Sequence, residues 1–182
     1  MNVFYLSEDP VIAAMALIKK HKNKMLVESA QLLSTAHRVL DGELFYAMSK
    51  NGRKLKRWKL EDRSLDDRLY LATHVNHPSA VWVRESAENY KWLFKHAVAL
   101  AKIYEIENGK KHKTNKFVLP LLMNLPSNIP QISKTEPPQA MPDEYKATDP
   151  IAGYRMYYEA EKLKLGTDYD RNMYFNTLTI NV

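Results

Sequence analysis

Apolar residues recur along most of this chain at the three- and four-residue spacing of helices that bury one face. The clearest run follows Ser86, a helix-capping residue. Tyr90, Leu93, Phe94, Ala97, Val98 and Ala101 make an i, i+3, i+4 stripe, and Asn108-Gly109 ends it. Earlier, residues 10–20 open on a proline and carry Val11, Ile12, Met15 and Ile18, which predicts a helix beginning at Pro10. Residues 21–42 predict a second helix, or a continuation broken near 21–23. Met25, Leu32, Ala36 and Val39 form its core side, and Gly42 would serve as a left-handed C-terminal residue. Shorter helices are predicted from Ser64 through Leu71, from Pro78 over PSAVWVRES, and over 114–122 with Pro120 limiting it. A last one starts at Asp149-Pro150, carries Tyr154, Tyr157, Tyr158, Ala160 and Leu163, and ends at Gly166.

Two stretches break this rhythm. In residues 43–60 the arms LFYAMSK and RKLKRWKL flank Asn51-Gly52, which predicts a β-hairpin with a type I′ turn. Residues 125–148 hold Pro126, Pro130, Pro137, Pro138 and Pro142 and read as an ordered loop crossing the surface. The tail, 167–182, is expected to form at most a small strand at TLTINV. The fold class is therefore mainly α: a single-domain helical bundle over 1–182 with a basic β-hairpin insertion near 44–60.

Composition narrows the functional classes. The chain has 182 residues, 45% of them hydrophobic, enough for one domain with a real core. It contains no apolar run long enough to span a membrane, and MNVFYLSEDP is too short and too acidic for a signal peptide. There is no cysteine, so disulfides and thiolate chemistry are excluded. Six histidines occur, but none in HExxH or HxH spacing, so no metal is expected. Five glycines include neither a dinucleotide fingerprint nor a P-loop, so no cofactor is expected. These features suit the cytoplasm. A net charge of +6 and a pI near 9.3 suit an anionic partner, and the sequence leaves a homo-oligomer open.

The candidate chemistry lies in 21–37. His21, Lys24, Glu28, Gln31 and Thr35 follow one another at steps of 3, 4, 3 and 4, which places them on one helical face. As a solvated face this would amount to little, since an exposed Lys24–Glu28 pair contributes about 0.3–0.5 kcal/mol. As a site, it would meet a nucleotide-type anionic small molecule together with His77, Trp82, Arg84 and Gln139. Arg84 and Lys24 would neutralise phosphates. Trp82 would stack on a base, Gln31 or Gln139 would read a base edge, and Glu28 would accept from a ribose hydroxyl. Each of these has a plainer alternative: Trp82 as a packing residue, Arg84 paired with Glu85 or Glu88, His37 as a surface histidine. Arg53, Lys54, Lys56 and Arg57, with Lys59, form the densest basic cluster, either a solvated ribbon or one that contacts nucleic-acid phosphates.

His21 and Glu28, seven residues apart and followed by Asp41-Gly42, resemble the N-terminal helix of the endonuclease V type of pyrimidine-dimer DNA glycosylases. Asn76-His77-Pro78, followed by Trp82, Arg84 and the helix with Tyr90, resembles a second block of that family's cellular relatives. The blocks KMLVESAQLLSTAHR, NHPSAVWVRES and PQAMPDEYK are also similar to a group of tailed-phage proteins. The glycosylase resemblance implies an all-helical, nucleotide-facing scaffold with Glu28 in the catalytic position. The family's nucleophile is the α-amine of a threonine exposed by removal of Met. Here Asn2 follows Met1, and its side chain is too large for efficient Met removal, so the amine is expected one residue out of register. Two functions follow as expectations. The first is a phage-type nucleotide-binding protein that sequesters a nucleotide immune signal, of cyclic dinucleotide or cyclic ADP-ribose type, inside an infected bacterial host. The alternative is a DNA N-glycosylase/AP lyase with Glu28 as the acid–base group, Lys24 as a substitute amine and the hairpin on the DNA backbone.

Overall fold

The computed structural model describes residues 1–179. The amino-terminal segment is extended, and its Val3, Tyr5 and Leu6 are fully buried. Helix α1 (Pro10–Met15) starts where Asp9 accepts the Val11 and Ile12 N–H groups. Helix α2 (Lys19–Asp41) follows after a break at 16–18, earlier than the 21–23 expected from sequence. The break falls where α2 finds a cap. Ile18 N–H donates to the Tyr158 hydroxyl at 3.0 Å and Lys19 N–H to the Asp170 carboxylate at 2.8 Å. Gly42, which ends α2, has φ −96° rather than a left-handed conformation. A Cβ there would sit 2.4 Å from the Arg38 carbonyl oxygen, so close backbone approach is what requires glycine.

Strands β1 (Glu43–Met48) and β2 (Lys54–Lys59) pair antiparallel, with Leu44 opposite Trp58 and Met48 opposite Lys54. The turn is not the expected type I′. Gly52 N–H donates to Ser49 O, Ser49 N–H donates to Arg53 O, and only Gly52 of the turn has positive φ, at 73°. That is a three-residue loop with glycine at the left-handed position. The helix expected from Ser64 to Leu71 is a single turn, α3 (Arg63–Asp66), capped by Asp62.

Helices α4 (Pro78–Glu85), α5 (Ala87–Asn108) and α6 (Lys113–Phe117) come next; α6 stops before Pro120. Ser86 caps α5 as expected, and Gly109 closes it at φ 65°. The buried helix α5 packs on α1, α2 and α4. At its start Tyr5 stacks on Trp92 at 4.3 Å between centroids, and Trp82 meets both rings edge-on at 6.0 Å. Each such ring contributes roughly 1.5–3 kcal/mol by leaving water.

The proline-rich stretch is ordered against the body. Ala87 N–H donates to Pro130 O, Ser86 Oγ–H to Ile132 O, and Asn89 holds Thr135 through both of its amide atoms. Helix α7 (Pro150–Glu161) begins at the Asp149 cap. The tail expected to hold a strand is instead helix α8 (Asp168–Thr179) as far as it is described; residues 180–182 of that expected strand lie outside the described residues. Tyr174 of α8 stacks on Tyr158 of α7 at 5.6 Å, and this contact fixes the tail as helix.

Candidate functional site

The polar stripe of α2 lies where the buried amino-terminal segment, α7 and the start of α4 meet. His21 is half-buried. Its ring stacks on Phe4 at 5.3 Å and 6°, and its Nδ1 lies 2.9 Å from the Tyr158 hydroxyl. Burial, reinforced by Lys162, Lys24 and Lys20, lowers its pKa to about 4, so the ring is neutral at pH 7 and shares one hydrogen bond with the Tyr158 hydroxyl through Nδ1. Phe4 reaches this stacking position at φ 44°, a left-handed backbone rare for an aromatic residue.

Two turns further, Glu28 is only 16% exposed and lies 3.5 Å from Lys24, which is 69% exposed. Glu28 also faces His77. Burial is the main cause of the lowered His77 pKa; the charges of the Met1 amino end and His74 act in the same direction, and Glu28 opposes them. The amino end and Glu28 thus both act on His77 through their charges. His77 caps α4 by accepting Ser79 N–H at its Nδ1, which leaves the proton of the neutral ring on Nε2. His74 has φ 48°, the other non-glycine residue with positive φ among the described residues. Of the two left-handed residues, Phe4 thus stacks on His21 and His74 acts on His77.

Trp82, Arg84 and Gln139, three of the remaining expected ligand residues, are bonded within the fold. Trp82 is 2% exposed; its ring packs on Tyr5 and Trp92 and its Nε1–H donates to Thr135 O, so it has no face for a base. Arg84 donates to the carbonyls of Val75 and Ala80 rather than to Glu85 or Glu88, and these bonds brace the loop before α4. The Gln139 amide donates to Ala147 O and accepts Ala147 N–H, a clasp that closes the 125–148 loop on α7. Gln31 is half-buried on the same face as Glu28. Thr35, the last of the stripe, is buried and donates to Gln31 O.

His37 is not a surface histidine. It is buried, with Nε2 2.9 Å from the Tyr90 hydroxyl, which donates onward to Leu122 O. Tyr158, Phe4, His74 and the amino end were not recognised from the sequence as site neighbours. Only the tyrosine spacing in α7 hinted at the first. No group of three or more metal-ligating side chains is close enough to hold an ion among the described residues, and no described helix is long and apolar enough to cross a membrane.

The basic ribbon stands apart from these groups. Arg53, Lys54 and Lys56 are exposed and Arg57 is half-buried. Lys54 Nζ lies 4.3 Å from the centre of the Tyr46 ring.

Comparison of the chain with protein-family models, with curated proteins and with solved structures found no match.

Proposed function

We propose that the chain acts on DNA as an N-glycosylase/AP lyase, with Glu28 as its acid–base group. The observation that carries this reading is the half-buried Glu28 with the Lys24 amine 3.5 Å away, beside which the charges of Glu28 and the Met1 amino end both act on His77. An amine and a carboxylate so close supply the two groups the reaction needs. The amine attacks C1′ of a damaged nucleotide and the base departs with its bonding electrons and a proton. Opening of the sugar then leaves an imine, and the carboxylate moves the protons. The resemblance in the His21–Glu28 spacing points the same way. A small nucleotide held for sequestration would need a stacking face and free phosphate ligands, and Trp82, Arg84 and Gln139 are engaged within the fold.

The test is borohydride trapping on duplex DNA with an abasic site, with the modified peptide mapped by mass spectrometry. A covalent adduct on Lys24 or on the amino-terminal peptide is expected, slowed by about 10²–10⁴-fold in Glu28→Gln. If no adduct forms, and a nucleotide at about 100 times its Kd stabilises the fold by about 2.7 kcal/mol, the sequestering function replaces this one.

A further inference from the structure

The hairpin carries nearly all of the excess charge. Of the seven charged residues in 43–60, six are cationic: Lys50, Arg53, Lys54, Lys56, Arg57 and Lys59. The rest of the chain holds 21 cationic and 20 acidic side chains, which nearly balance. Among the described residues, none of the six cations has an ion-pair partner. The same ribbon exposes large apolar side chains. Tyr46 is 54% and Met48 68% exposed, with Leu44 and Phe45 close behind. An isolated two-stranded hairpin is marginal in water, and this one is held at its root. Arg38 donates to Trp58 O and to Asp66, and Asp66 accepts Leu60 N–H. A firmly rooted ribbon with uncovered rings and uncompensated cations is built for an anionic partner with a stacking or apolar floor.

The register assigns the faces. Leu44, Tyr46, Met48, Lys54, Lys56 and Trp58 share one side, while Phe45 and Arg57 lie on the other. We infer that the hairpin is a duplex-DNA arm whose Tyr46–Met48–Lys54–Lys56 face enters the major groove, with Lys54 and Lys56 reaching the phosphates along its walls and Lys50 and Arg53 those at the tip. Strands of six residues span about 20 Å, and the groove, about 12 Å wide, admits a two-stranded ribbon. The inference rests on the reading of the chain as DNA-directed, but not on its chemistry.

Fluorescence anisotropy of the full chain with a labelled undamaged duplex, across a salt series, tests it. The double variant Lys54→Glu/Lys56→Glu should bind at least about tenfold more weakly. Its plot of log affinity against log salt should flatten by about 2, near 0.9 for each lost phosphate contact. Tyr46→Ala should weaken binding with the slope unchanged, and Arg57→Glu, on the opposite face, should cost less than the double variant. Circular dichroism should match the wild type in every case. Equal losses from both faces would overturn the face assignment. Unchanged affinity in the double variant, equally tight binding of single-stranded DNA, or a wild-type dimer in sedimentation that the double variant abolishes would overturn the arm itself. Undamaged duplex offers no abasic site to attack, so this binding is read apart from the chemistry. Ribbon-dependent binding without any trapped adduct would therefore leave the arm standing and remove the lyase; a trapped adduct with ribbon-independent binding would do the reverse.

Discussion

The helical body and the hairpin use arginine and lysine in opposite ways. In the body, Arg38 is 2% exposed and directs its guanidinium to five acceptors: Tyr70 O, Trp58 O, Leu69 O and both the carboxylate and the carbonyl of Asp66. Arg84 and Arg155 likewise donate to backbone carbonyls. These arginines tie loops, a strand end and short helices together. In the hairpin most cations are exposed; one lies over a tyrosine ring, one donates to a neighbouring carbonyl, and Lys59 acts on the Asp66 carboxylate. The charge of the body's arginines is consumed by folding, and most of the hairpin's charge is not. Abundance of basic residues alone therefore says little about binding; what matters is whether each one's donors are already taken.

The contrast can be tested on stability, from the largest effect down. Arg38→Ala should destabilise the fold by about 3–5 kcal/mol in urea unfolding, because it strands four buried or half-buried carbonyls and the Asp66 carboxylate. A loss under 1 kcal/mol would show that the body does not depend on its arginine in this way.

Acid should act on the body as well. His96 is fully buried, stacked on Trp92 at 5.3 Å, with neither ring nitrogen bonded. Burial lowers its pKa to about 3, and that of His21 to about 4. An unfolded chain protonates both near 6.5 while the folded chain does not. Stability is therefore complete above pH 6.5 and is lost as pH falls toward 4, by about 1.4 kcal/mol per pH unit for each histidine. His96→Phe should flatten that slope, without abolishing it, in unfolding midpoints measured from pH 7 to 4.5.

In the hairpin, Gly52→Ala meets no steric neighbour but forces alanine to φ 73°, a cost of about 1 kcal/mol by thermal unfolding. Smallest of all, Lys54→Ala and Lys56→Ala should each change stability by no more than about 0.5 kcal/mol. Larger losses would mean that the ribbon's cations, like those of the body, serve the fold.

Local pattern carried the reading of α4, α5, α7 and the hairpin's existence, because capping residues, prolines and apolar periodicity act within a few positions. It failed where a distant partner decides. His37 looked like a surface residue because Tyr90, which helps bury it, is far along the chain. The β-branched residues at the end of the chain suggested a strand, but Tyr174 and Leu178 face the body at helical spacing. Asn51-Gly52 announced a turn without fixing its type, since asparagine at this position takes a negative φ as readily as a positive one. Of the candidate site, the α2 stripe was legible from spacing. The occupation of Trp82 was not, since its partner Thr135 is distant in the chain; Arg84 and Gln139 bond to nearby backbone, but through loop geometry that residue spacing does not reveal.

The first turn of α2 is capped from the far end of the chain, by a hydroxyl 140 residues and a carboxylate 151 residues away. A nascent chain therefore carries the helix that bears Glu28 for almost the whole of its synthesis without the groups that fix where this helix begins. Until α7 and α8 leave the ribosome, His21 lacks Tyr158, and the amino-terminal half of the helix is free to fray. Loss of residues 158–182, through a premature stop or proteolysis, would thus remove both capping groups from the opposite end of the molecule while leaving the packing of α4 on α5 in place.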